Sequence, residues 1–218
     1  FLEGQQYSTE SIIMDEKNVT VGFAERNYEF LEELSPYIIE NGGQQPAKIG
    51  KKELDSIVKL VEKSSQILGI SNAISKGDVV MTKDGPKIIE IAPRLSGGYF
   101  SSDQIPLATG INIIEIAIRL SLGEKINKDK LFFRDQNAVA IRYFFPKPGK
   151  ITSISNIDLF KNKSWVHKLD LFFGVGDVLE KIIDHTKRCG FVITTGNTRD
   201  EAVQRAKMVV KNVQILTT

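Results

Sequence analysis

The sequence predicts an α+β fold in two parts. An antiparallel sheet with helices should occupy residues 1–130, and a small β-rich barrel or sandwich closed by a terminal helix should occupy 131–218. Three observations predict it. Strand-like runs separated by short turns dominate both parts. Only a few segments carry helical periodicity. The composition turns polar and charged over 124–136 (Glu124, Lys125, Asn127, Lys128, Asp129, Lys130), which marks a domain boundary.

Two strands open the chain, Tyr7 to Met14 and Val19 to Ala24, joined by the polar turn Asp15-Glu16-Lys17-Asn18. Residues 27–47 are mixed, broken by Ser35-Pro36 and Gly42-Gly43. A helix follows, with Leu54, Ile57, Val58, Val61 and Leu68 on one face and Gly69 at its end. Next come a hairpin (Gly77 to Thr82, Pro86 to Ile91), a Pro/Gly-rich loop (Pro93 to Gly98) and a helix from about Ile111 to Leu122. In the second part, strands are expected at Ala138 to Phe145, Trp165 to Leu171 and Phe191 to Thr195. The last helix begins with the capping box Thr198-Arg199-Asp200-Glu201. Its apolar face is Ala202, Ala206, Val209, Val210 and Val213.

The totals exclude several function classes. Apolar residues make up 41% and charged residues 26% of 218, ordinary for a globular protein. A net charge of +2 gives no electrostatic case for nucleic acid or a membrane surface. No apolar run is long enough to span a bilayer. A single cysteine, Cys189, rules out an internal disulfide framework and fits a reducing cytoplasm. The opening Phe1-Leu2-Glu3-Gly4 has no methionine and runs straight into a strand, so an upstream part is expected.

The hairpin carries the chemistry. A three-residue loop Lys83-Asp84-Gly85, with Gly85 left-handed, pairs Thr82 with Pro86 and therefore Asp78 with Glu90. Val79, Met81, Ile89 and Ile91 then line the opposite, apolar face. Opposed carboxylates repel and need a cation between them. Magnesium, sharing its shell with phosphates and water, is one answer; a neutralising lysine such as Lys76, or solvent, is the other. Four residues after Glu90 comes Arg94, whose planar fork suits phosphate or carboxylate oxygens. Ser96-Gly97-Gly98 follows, where backbone N–H groups can approach an anion.

The run Asp78-Val79-Val80-Met81-Thr82-Lys83-Asp84-Gly85-Pro86-Lys87-Ile88-Ile89-Glu90-Ile91-Ala92-Pro93-Arg94-Leu95-Ser96-Gly97-Gly98 closely resembles the C-terminal signature of ATP-grasp ligases. The opening Phe1-Leu2-Glu3-Gly4 resembles that superfamily's adenine-holding hinge strand. The tail, with Pro148-Gly149-Lys150-Ile151 and Thr194-Thr195-Gly196-Asn197-Thr198-Arg199-Asp200-Glu201-Ala202, resembles the small C-terminal domain of the biotin carboxylase group. The resemblance implies a C-terminal ATP-grasp subdomain followed by that small domain.

By this resemblance, ATP is the nucleotide, and Asp78 and Glu90 bind magnesium, with manganese as an alternative. Arg94 contacts the transferred phosphate or the acyl phosphate, and Ser96, Gly97 and Gly98 form the substrate and phosphate loop. Leu2 is the adenine-hinge residue, and Gln6 stands where many members have a ribose-binding glutamate. Ala92 replaces an asparagine that often completes the metal shell. Arg142 matches a catalytic arginine of biotin carboxylase; an outward-facing strand arginine is the other reading.

The implied chemistry is phosphorylation of a carboxylate by ATP, then displacement of phosphate by an amine or other nucleophile. Two magnesium ions and an arginine offset the phosphoryl charge. The implied partners are small-molecule carboxylate and amine substrates and the missing N-terminal part that carries a lysine and a glycine-rich flap. A homodimer is compatible with this. Without that part, the chain should bind ATP weakly and not turn over. A bicarbonate-activating enzyme like biotin carboxylase or carbamoyl phosphate synthetase, and a non-catalytic nucleotide-binding module, stay open as alternatives.

The remaining candidates read as structural. His167 and His185 lie near no ligand cluster, Cys189 reads as a small core residue, and Lys48, Lys51 and Lys52 as a solvated cluster. Gly42-Gly43-Gln44-Gln45-Pro46 matches a loop that faces the acceptor substrate in amino-acid-ligase relatives, which often carry histidine in place of Gly43.

Overall fold

The computed structural model describes residues 2–14, 17–127, 131 and 137–218. Phe1, Asp15 and Glu16 of the expected first turn, and Lys128, Asp129 and Lys130 of the expected boundary, lie outside the described residues. The chain forms two compact units: residues 1–26 with 45–137, and residues 27–44 with 138–218. Residues 27–44, expected in the first part, thus belong to the second unit.

The first unit is built on β1 (Gln5–Met14), β2 (Lys17–Asn27), β4 (Ala73–Thr82) and β5 (Gly85–Ala92), in the order β5-β4-β1-β2. All its pairings are antiparallel. Register places Tyr7 opposite Glu25 and Val79, and Ser8 opposite Ala24 and Asp78. Because side chains alternate along a strand, the two faces differ in chemistry. Tyr7, Phe23, Val79 and Met81 lie on one, and Gln6, Ser8, Glu10, Lys76 and Asp78 on the other.

The apolar face packs under α1 (Lys51–Ile67), where Ile57 and Val61 are fully buried against Tyr7 and Val79. The buried line of α1 is Ile57, Val61 and Ser65. Leu68, expected on this stripe, lies at the C-cap and is 61% exposed. Ser65 takes the inward place one turn earlier, with its hydroxyl 3.0 Å from that of Ser75. Gly69 follows with φ +69, as a helix stop requires.

The sequence expects one helix near 111–122. The structure has a longer helical layer: a π-helical turn (Phe100–Gln104), α2 (Ile105–Thr109), a left-handed Gly110 and α3 (Ile113–Ser121). Asn112 caps α3 by accepting from the Glu115 N–H at 3.2 Å. This layer buries Phe100, Ile105, Ile113 and Ile116 with Ile12 and Met14 of β1.

In the second unit, β3 (Gly42–Gln45), β6 (Ala138–Tyr143), β8 (Val166–Leu171) and β10 (Gly190–Gly196) run in the order β3-β6-β10-β8. β7 (Gly149–Ser155), β9 (Val178–Leu179) and β11 (Gln214–Thr217) make a second, three-stranded sheet, and α4 (Asp158–Lys161) is a single turn. The terminal helix α5 (Arg199–Asn212) buries Ala202, Ala206 and Val209, with Val213 buried at its C-cap and Val210 partly buried. Its capping box is complete: the Glu201 N–H donates to Thr198 Oγ1 at 3.2 Å, and the Asn197 N–H donates to Glu201 Oε2 at 2.7 Å.

Gly4 sets how closely the chain entering β1 approaches β4. Its φ is +143, and a Cβ there would lie 2.0 Å from the Met81 carbonyl oxygen. Gly4→Ala is expected to lower the unfolding free energy by roughly 2 kcal/mol, read as a lower urea midpoint with an unchanged slope.

Candidate active site

The β4–β5 hairpin departs from the expected turn. Thr82 pairs with Gly85, so the loop is the two residues Lys83 and Asp84 and not three. Thr82 Oγ1 closes it by accepting from the Asp84 N–H (3.2 Å) and donating to the Gly85 carbonyl (2.8 Å). Gly85 has the expected positive φ, +94. Val79 pairs with Ile88, but Asp78 pairs with Glu90, which leaves Ile89 as a β-bulge. The bulge supplies the one-residue shift that the expected turn would have supplied. The acids are opposed as expected, by another route. It also changes the core: Ile88 and Ile91 face inward, whereas Ile89, expected inward, is 49% exposed.

The two carboxylates share a lysine. Lys76 Nζ donates to Asp78 Oδ2 at 2.6 Å and to Glu90 Oε2 at 2.8 Å. Arg26 Nη1 also reaches Asp78 Oδ2 (3.0 Å), and Ser8 Oγ donates to Asp78 Oδ1 (2.9 Å). Arg94 Nη2 donates to Glu90 Oε1 at 3.0 Å. Asp78 is buried and Glu90 is half exposed. The Lys76 hydrogen bond and charge, helped by Arg94, hold the Glu90 carboxyl below its ordinary pKa.

The donor set fits a magnesium ion held mainly by phosphates and water, which needs only one or two carboxylates. It does not fit an all-protein cage. Ala92 offers no donor, and no group of three or more His, Cys, Asp or Glu is placed to hold a metal among the described residues.

The Ser96–Gly98 loop is anchored by a residue that the sequence reading missed. Glu10, on the polar face of β1, is fully buried. Its carboxylate accepts from Ser101 Oγ at 2.7 and 2.9 Å and from the Ser96 N–H at 3.2 Å. Ser101 Oγ also lies 2.9 Å from the Ser96 carbonyl, and Gln104 Nε2 donates to the Gly98 carbonyl at 3.1 Å. Gly97 is open, with no atom within 4 Å of a Cβ built on it. Gln6 lies on the same strand face as Asp78, and Leu2 is exposed just before β1.

Residues 1–98 match the family model described as ATP-grasp domain. Residues 142–218 match L-amino acid ligase C-terminal domain 2. The L-amino acid ligase of Bacillus licheniformis superposes with a TM-score of 0.86 at 18% identity, over 100% of this chain and 55% of that one. Phosphoribosylglycinamide synthetase of Anaerococcus prevotii gives 0.85 at 16%, again over 100% and 55%. An uncharacterized protein of Sinorhizobium fredii is 24% identical over 209 residues, covering 94% of this chain and 41% of its own length. At these identities the structural likeness establishes the fold, and this chain spans about half the length of its relatives.

Arg142 lies in the second unit, at the first residue of its family match. It is not an outward-facing strand arginine: it is 3% exposed. Its Nη1 donates to the carbonyls of Gly43 (3.1 Å) and Ile141 (2.8 Å), and Nη2 donates to Gln44 Oε1 (2.9 Å). Gly42 makes room, since a Cβ there would meet the Ile141 carbonyl at 2.1 Å. His185 accepts from the Glu40 N–H at 3.1 Å, a structural contact, and burial pushes the Cys189 thiol up to about 11.

Burial also raises the Glu10 carboxyl above its ordinary 4.5, against the hydrogen bonds from Ser101 and Ser96. The native first unit therefore holds this proton more tightly than the unfolded chain does. The stability that this group contributes is lost as pH rises above 4.5 and through the raised native pKa. Glu10→Gln removes that titration, so its melting temperature should gain on wild type as pH rises from about 4 to about 7. Glu10→Ala, which orphans the Ser96 N–H, should cost roughly 1–3 kcal/mol.

Proposed function

We propose that the protein is an ATP-dependent ligase that activates a carboxylate as an acyl phosphate and couples it to an amine. One observation carries this reading: in an ATP-grasp domain, Asp78 and Glu90 stand opposite each other across β4 and β5, with Arg94 in contact with Glu90. In the first step the substrate carboxylate oxygen attacks the γ-phosphorus, and the bond to the leaving ADP breaks. In the second the amine attacks the acyl carbon, phosphate leaves, and the amine loses a proton. Magnesium bound through Asp78 and Glu90 would offset the charge on the phosphoryl oxygens.

The chain's own residues have separate tasks. Arg94 can swing from the half-exposed Glu90 to an incoming phosphate or acyl phosphate, since both groups prefer its planar fork. Glu10 and Ser101 fix the Ser96–Gly98 loop beside it. Leu2 lies on the segment that would hold the adenine, and Gln6 faces the acid side of the sheet, where the ribose would lie. Arg142, gripped by Gly43 and Gln44, orders the loop assigned to the acceptor substrate. The match of residues 142–218 to an L-amino acid ligase domain supports an amino acid substrate over bicarbonate. Small-molecule substrates and a single buried cysteine suit a cytoplasmic enzyme.

The test is ATP hydrolysis by the full-length protein with a panel of amino acids, supplied singly and in pairs. Paired substrates should stimulate ADP release, and Glu90→Gln should lower kcat at least about 100-fold, as loss of a group that balances transition-state charge does. ADP release that no amino acid stimulates would remove the ligase reading. Activity unchanged in Glu90→Gln would remove Glu90 from the site.

A further inference from the structure

Lys76 occupies the place where the charges of this site call for a metal. Its Nζ lies 2.6 Å from Asp78 Oδ2 and 2.8 Å from Glu90 Oε2, and its side chain is only 12% exposed. The other contacts complete the set. Asp78 Oδ1 takes Ser8, Asp78 Oδ2 also takes Arg26, and Glu90 Oε1 takes Arg94. All four carboxylate oxygens have a donor, and three cationic side chains meet two acids.

The backbone explains why the lysine reaches both acids. Lys76 and Asp78 are two apart on β4 and so share a face. Lys76 pairs with Ala92, and Asp78 pairs with Glu90. The methyl group of Ala92 leaves room opposite the lysine and provides no donor for a cation.

We propose that Lys76 is a built-in cation that replaces one of the two metal ions expected of this site, so that nucleotide binds with a single divalent ion. A second divalent ion would have to share Asp78 Oδ2 and Glu90 Oε2 with an ammonium group already bridging them, and like charges at that spacing repel strongly in a partly buried site. One ion bound by the phosphates and Glu90 Oε1 has only the half-exposed Arg94 to displace, and Arg94 can pass to the phosphates. The inference rests on the nucleotide-binding reading given above.

The test counts Mn2+ by electron paramagnetic resonance on the full-length protein with a non-hydrolysable ATP analogue. One tightly bound Mn2+ per bound analogue is expected. Lys76→Met, which keeps the aliphatic stem and removes the charge, should bring the count to two, and Lys76→Arg should leave it at one. Two Mn2+ in the wild type would overturn the inference and leave the ligase reading standing, a result that needs no variant. A folded Lys76→Met protein that still binds one would also overturn it, because the missing ion would then have another cause. Failure to bind the analogue at all would overturn both readings.

Discussion

Asp78 is an aspartate in the interior of a sheet, and the first unit is arranged around its charge. A buried carboxylate without a partner costs several kcal/mol. Here the compensation comes from three strands: Lys76 on its own strand, Ser8 on β1 and Arg26 on β2. The arrangement holds only if β1 pairs with both neighbours in one register. That register is secured from the other face, where Tyr7, Val79, Ile57 and Val61 pack together and leave no room for a one-residue slip. The apolar core and the polar site are two sides of one constraint.

Much of this was legible in the sequence because alternation and signature agree. The opposition of Asp78 and Glu90 was visible, as were the helices at Lys51–Ile67 and Arg199–Asn212 and their main buried positions. The turn was not. A two-residue loop plus a bulge at Ile89 gives the same acid pair as a three-residue loop without one, and only the exposure of Ile89 separates them. Glu10 escaped notice because a glutamate in a strand reads as a solvent-facing residue, and its partner Ser101 is 91 residues away. Residues 100–109 lack helical periodicity because the π-helical turn breaks the usual spacing. β7 and β11 are short and half exposed, so their pattern is faint.

The second unit solves a related problem largely with backbone and amide groups. Arg142 is as buried as Asp78, and its hydrogen bonds include the backbone carbonyls of Gly43 and Ile141 and the amide of Gln44, with the Glu29 charge nearby. Backbone carbonyls of β3 and β6 cannot move away without disturbing the sheet, so these contacts fix the guanidinium in place. Arg94, by contrast, is held by one half-exposed carboxylate and the adjoining Leu95 carbonyl. The two arginines therefore differ in stiffness, one built into the sheet and one free to change partners.

The bulge at Ile89 also bears on how this hairpin can vary between relatives. Residue 89 has no cross-strand partner, so deleting it would leave Val79 opposite Ile88 and Asp78 opposite Glu90, with both the core and the acid pair intact. Losing a residue from elsewhere in the strand would turn Glu90 toward the apolar face. Length change in β5 is thus silent at one position and ruinous at its neighbours. Relatives aligned through this stretch should place their gaps at position 89.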